Sequence, residues 1–143
     1  MYKVLIAEDD LLIAEMAGEL LTEHGYRVCG IARTVAEAVA LGRSHRPHLA
    51  LIDLCLADGG MGTEIAGQLG GLARLGVLYT SGDMSRARLT AARGDACLAK
   101  PYRASELLRG LEIVADIVAT GTAMPPFPAG FQVLMPAISA PRE

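Results

Sequence analysis

Apolar residues in this chain gather in short unbroken runs that stop at a polar or charged residue, with helical spacing between the runs. Lys3-Val-Leu-Ile-Ala7 is the first run, and it stops at Glu8-Asp9-Asp10. Leu12, Ile13, Met16, Leu20 and Leu21 then recur at the spacing of an amphipathic helix that Gly25 can close. Arg27 to Ile31 reads as a second strand. Thr34 and Glu37 stand three apart in the form of a capping box, which predicts a helix running to about Ser44. Pro47 leads into Leu49-Ala-Leu-Ile52, a strand that stops at Asp53. A glycine-rich segment, Asp58 to Gly62, precedes a helix-like stretch from Thr63 to Leu69. Leu75 to Thr80 reads as a fourth strand, ending at Ser81-Gly82-Asp83. Residues 84–93 read as a short basic helix, and Ala96 to Ala99 as a fifth strand ending at Lys100-Pro101. Leu107, Leu108, Leu111, Val114 and Val118 lay an apolar stripe along a final helix.

Strands without alternation, each followed by a helix, predict a parallel sheet covered on both faces. Composition agrees with one such domain. The 143 residues are 52% hydrophobic and 20% charged, enough chain to bury a core, and with four Tyr, two Phe and no Trp that core must be aliphatic. Thirteen basic against sixteen acidic residues give no surplus for gripping nucleic acid, so direct nucleic-acid binding is not expected. Cys29, Cys55 and Cys97 are widely spaced with no CxxC pair, which argues against a disulfide framework or zinc site and for a reducing, cytoplasmic setting. The opening apolar run is too short for a signal peptide. Five of the seven prolines lie between Pro125 and Pro141, and no charge occurs from Ile117 to Ala140. Those prolines exclude a membrane helix there. The domain is therefore expected over residues 1–120, with 121–143 a proline-rich, uncharged C-terminal extension.

In a parallel sheet of this kind function collects at the carboxyl ends of the strands. Four of the five predicted strands deliver a polar group there: Glu8 and Asp9, Asp53, Ser81 and Lys100. If the strand order is 2-1-3-4-5, the first and third strands are neighbours and their carboxylates converge. Packed anions repel unless a cation intervenes, and oxygens alone suit Mg²⁺, which keeps several waters and a phosphoryl oxygen as ligands. Lys100 adds a fixed positive charge and Ser81 a hydroxyl donor. Such a set can move a phosphoryl group onto a carboxylate, with Asp53 as nucleophile.

Leu5-Ile-Ala-Glu-Asp9, Leu51-Ile-Asp-Leu54, Ser81-Gly82 and Lys100-Pro101, in that order and each at a strand end, resemble the landmarks of response-regulator receiver domains of bacterial two-component signalling. The resemblance covers residues 1 to about 120. It implies a doubly wound five-stranded parallel sheet in the flavodoxin-like order 2-1-3-4-5, with helices on both faces. It implies that Asp53 is the phosphoacceptor, that Asp9 holds Mg²⁺ directly and Glu8 through water, and that the carbonyl of Cys55 is a third ligand. Ser81 and Lys100 would bind the phosphoryl group, and the bond before Pro101 would be cis. The donor would be a histidine kinase or phosphotransfer protein. With no room after residue 120 for an effector domain, a stand-alone receiver would signal through a downstream protein effector, a homodimer, or relay of the phosphate.

The chain also departs from that family's pattern. Cys97 stands where the family usually has a switch Tyr or Phe, which leaves the output route open. Ala57 replaces a frequent proline, and Gly59, Gly60 and Gly62 make the adjoining loop freer. In the family, positions 55 and 83 flank the path of a hydrolytic water, which Cys55 and Asp83 suit poorly, so self-dephosphorylation is expected to be slow or to depend on a partner. Arg86, Arg88 and Arg93 form either a solvated face or a docking surface, and His24, His45 and His48 lack ligand spacing. Asp9 or Asp10 can also cap the first helix. The chain catalyses no turnover in this reading beyond its own modification. Two alternatives remain: a Mg²⁺-dependent aspartyl-phosphate phosphatase, disfavoured by Cys55 at its acid/base position, and a binding module independent of phosphorylation. The extension 121–143 is either a flexible tail or a segment packed on its own domain or a second copy.

Overall fold

Residue alternation along each strand sends apolar side chains to both faces of a central sheet, so both faces must be covered. In a computed structural model, which describes residues 2–56, 59–69, 74–82 and 94–134, the elements follow from this requirement. They run β1 (Lys3–Ala7), α1 (Leu11–Glu23), β2 (Arg27–Ala32), α2 (Val35–His45), β3 (Leu49–Asp53), α3 (Gly62–Leu69), β4 (Gly76–Ser81), β5 (Ala96–Ala99), α4 (Ala104–Thr120) and β6 (Phe131–Val133). The sheet order is β2-β1-β3-β4-β5-β6, with the first five strands parallel. This is the doubly wound order expected from the sequence, extended by one strand. The short basic helix expected at 84–93, with Arg86, Arg88 and Arg93, lies outside the described residues, as do Ala57 and Asp83.

Two cores flank the sheet. Leu5, Ala50, Ile52, Val77 and Tyr79 face α2 and α3, meeting Val39, Ile65 and Leu69. Val4, Ile6, Leu49, Leu51 and Leu78 face α1 and α4, meeting Ala14, Leu21, Leu107 and Leu111. Asp10 caps α1, its carboxylate accepting from the N–H groups of Leu12 and Ile13. Thr34 caps α2 by accepting from Glu37 N–H, while the Glu37 carboxylate reaches one residue further back than a capping box requires and accepts from Arg33 N–H.

The face that α1 buries differs from the stripe of large residues. Ala14, Ala17 and Leu21 are buried, while Leu12 and Met16 are 67% and 61% exposed. Close approach to the sheet decides this: Gly18 sits over Ile6, where small residues let the helix axis come near. A stripe drawn through the largest apolar residues misses a face built from alanine and glycine.

β6 is the main addition. It lies antiparallel on β5, pairing Ala96 with Val133 and Leu98 with Phe131. The described part of the segment after residue 120 therefore packs on its own domain.

The loop after β3 is tied where the glycines suggested freedom. Leu54 N–H donates to the Thr80 carbonyl, Leu56 N–H to Gly60, and Cys55 bridges Met61. Gly62 N–H donates to the Leu54 carbonyl at 2.8 Å, and a Cβ at Gly62 would collide with the Asp53 carbonyl oxygen. Backbone cannot move aside cheaply, so this glycine is a space requirement of the β3 end. Gly62→Ala should destabilise the fold by about 1–3 kcal/mol in urea unfolding; an unchanged midpoint would show that the close approach is not needed.

Candidate functional site

Parallel pairing places Asp53 beside Thr80 and Ser81 beside Ala99, so the ends of β1, β3, β4 and β5 share one edge. Glu8 and Asp53 are buried at 5% and 8% exposure, and oxygens of Glu8, Asp9 and Asp53 lie within 4.8 Å of one another. Lys100 reaches into this cluster. Its Nζ donates to Glu8 Oε1 at 2.8 Å and to Asp53 Oδ2 at 3.0 Å. The remaining oxygens are held by backbone: Cys55 N–H donates to Asp53 Oδ1 and Asp10 N–H to Glu8 Oε2, both at 3.1 Å. The acids are thus aimed as well as gathered. Asp10 divides its work, capping α1 with its side chain and orienting Glu8 with its N–H.

Burial pushes the Glu8 carboxyl up, against hydrogen bonds from Lys100 and Asp10 that favour its charged form, and the Asp53 charge adds to the rise. Burial disfavours the Lys100 ammonium, but its bonds to Glu8 and Asp53 outweigh that and hold its pKa above the ordinary value. Lysine is therefore the fixed cation of the site at neutral pH. One ammonium against three carboxylates leaves a surplus of two negative charges. Hard oxygen donors carrying that surplus fit a divalent cation such as Mg²⁺.

The other expected residues fall as follows. Ser81 is buried at the end of β4, and its carbonyl accepts from Lys100 N–H at 2.8 Å. The Lys100–Pro101 bond is cis. Cys55 is exposed in the loop beside Asp53, and its side chain is not part of the acid cluster. Asp83 lies outside the described residues.

Tyr102 was not anticipated. It packs against the α1–α4 core, and burial raises its phenol pKa, with Glu8 adding to the rise. Its only sequence signal is its place directly after Lys100-Pro101. Cys97 is fully buried on β5, and burial pushes its thiol up to about 11, against a backbone hydrogen bond at Leu98. A folded-state pKa raised from 9.0 keeps the thiol neutral where the unfolded chain ionises. That contribution to stability is full below pH 9 and is lost as pH rises toward 11.

Comparison with known proteins agrees with this geometry. A family model described as the response regulator receiver domain matches residues 4–112. The transcriptional regulatory protein PdtaR of Mycobacterium tuberculosis is 35% identical over 128 residues, covering 85% of this chain and 60% of that protein. The phyllosphere-induced regulator PhyR of Methylorubrum extorquens is 43% identical over 68 residues, 47% of this chain and 26% of that protein. The chain thus spans about three fifths of the first relative's length and about a quarter of the second's. A CheY-like response regulator receiver domain protein from Methanospirillum hungatei superposes with a TM-score of 0.75 at 28% identity, over 85% of this chain and 99% of that one.

Two measurements test the site as built. Lys100→Met leaves two buried carboxylates facing each other, so it should cost about 3–5 kcal/mol in urea unfolding, whereas Asp53→Asn, which removes one repelling charge, should cost under about 1. Equal losses would contradict the charge arrangement. At pH 8 iodoacetamide should modify exposed Cys55 in the native protein and spare Cys97 until the chain is unfolded; labelling of native Cys97 at a comparable rate would contradict its burial.

Proposed function

The chain belongs to the response regulator receiver domain family, and from that premise we propose that Asp53 accepts a phosphoryl group from a histidine kinase or a phosphotransfer protein. The observation that carries this reading is the Lys100 ammonium bonded to both Glu8 and Asp53 at 2.8 and 3.0 Å beside the acid cluster.

An oxygen of Asp53 attacks phosphorus, and the bond from phosphorus to the donor's imidazole nitrogen breaks, leaving an acyl phosphate on Asp53. The attacking carboxylate is already oriented by Cys55 N–H, which lowers the entropic part of the barrier. Lys100 releases Glu8 as it follows the new negative charge to the phosphoryl oxygens, and the Ser81 hydroxyl donates to one of them. Mg²⁺ bound by Asp9 and Asp53, with Glu8 through water and the Cys55 carbonyl as a further ligand, would neutralise phosphoryl charge during transfer. Exposed Cys55 provides no general acid or base to hydrolyse the product, which supports a long-lived modification and weighs against a turnover phosphatase.

The output in this reading is a protein–protein contact, made with a downstream effector in the cytoplasm. No helix among the described residues is long and apolar enough to cross a membrane.

Acetyl phosphate with Mg²⁺ tests the proposal. Intact-mass spectrometry should show one added phosphoryl group that is absent without Mg²⁺ and absent in Asp53→Ala. Modification of Asp53→Ala to the same extent, or release of phosphate with repeated turnover, would overturn it.

A further inference from the structure

Among the described residues after α4, the contacts to the domain reach the end of β5, next to the site. Beyond Gly121 the chain turns back along α4, where Arg109 Nη2 donates to the Met124 carbonyl at 2.7 Å and Nε to the Pro126 carbonyl at 3.0 Å. Phe127 and Phe131 rest on each other at 5.6 Å between ring centroids. Phe131 then packs on the core beside Leu78 and Leu98, over Gly110, where a Cβ would stand 3.5 Å from its ring. The ladder to β5 is bounded by Ala99 N–H donating to the Gly130 carbonyl and Leu134 N–H donating to the Asp95 carbonyl, each at 2.9 Å. Gly130 adopts φ +76 at this turn into β6, a conformation that favours glycine.

Ala99 directly precedes Lys100. The end of β5 is therefore held on one side by Gly130, just before β6, on the other by Ser81 of β4, and at its head by Glu8 and Asp53 through Lys100 Nζ. These holds are unequal. β4 has six residues, all buried, whereas β6 has three and no residue from 121 to 134 is fully buried. Any shift at the end of this four-residue strand would be resisted less by β6 than by β4.

We propose that residues 121–134 form a strap whose attachment to β5 is linked to the state of Asp53: loading Asp53 with phosphate loosens β6 and uncovers the β5 edge and the Phe131 seat. This rests on the phosphoacceptor reading above. An uncovered strand edge offers unpaired N–H and C=O groups to an extended segment of a partner protein. Linkage makes the effect reciprocal in free energy, so a weakened strap favours the loaded state.

Amide hydrogen exchange with and without acetyl phosphate and Mg²⁺ tests this, read by NMR at the Ala99 and Leu134 N–H groups. Loading should speed their exchange by about 5-fold or more, leave Leu78 in β4 unchanged, and have no effect in Asp53→Ala. Phe131→Ala should raise the loaded fraction at a limiting acetyl phosphate concentration. Arg109→Ala, on the surface, should do the same to a smaller extent and serves if Phe131→Ala fails to fold. A wild-type chain that takes no phosphate overturns the phosphoacceptor reading and this inference together. A loaded chain with unchanged exchange at Ala99 and Leu134, and strap variants with unchanged loading, overturns the strap alone.

Discussion

The contact of Lys100 with Glu8 and Asp53 is the constraint on which the rest of the structure depends. Two buried carboxylates cannot lie this close in a folded chain without compensation, and burial has already raised the pKa of Glu8. Lysine is drawn from another strand, 92 residues away from Glu8, and only a parallel sheet puts those strand ends on one edge. The topology is thus what lets three anions and a cation meet, and Gly62 is what lets α3 begin directly against the end of β3.

The same contact supports the proposed transfer of an anion to this site. Lys100 is shared between two partners and satisfied by both, so an arriving phosphoryl group can take it over without leaving a buried carboxylate wholly unheld: Asp10 N–H keeps Glu8, and Cys55 N–H keeps Asp53. Backbone donors remain in place when the side chain moves, which is preorganisation in the electrostatic sense.

Much of this was legible in the sequence. Four of the five apolar runs ended at the residue that the sheet delivers to the edge, because strands buried on both faces must stay apolar until they leave the core. The helix cap at Thr34 and the charged strand ends carried their own chemistry. What was not legible came from packing. The face of α1 rests on Ala14, Ala17 and Gly18, which a search for large apolar residues passes over. β6 has only three residues in an uncharged, proline-rich stretch, with no signal apart from its Phe and Val. The loop glycines looked like freedom because a sequence does not show that Gly62 touches the Asp53 backbone. Tyr102 lies half-buried near Glu8 through tertiary packing that no local pattern encodes.

The central claim is that Asp53, held by Lys100 and Cys55 N–H, is the group that carries phosphate. Borohydride reduction of the chain after treatment with acetyl phosphate and Mg²⁺, followed by peptide sequencing, tests it most directly, since an acyl phosphate on aspartate is reduced to homoserine. The account predicts homoserine at position 53 alone. Homoserine at position 9 or 10, or at no position in a chain that has gained a phosphoryl group, would contradict it.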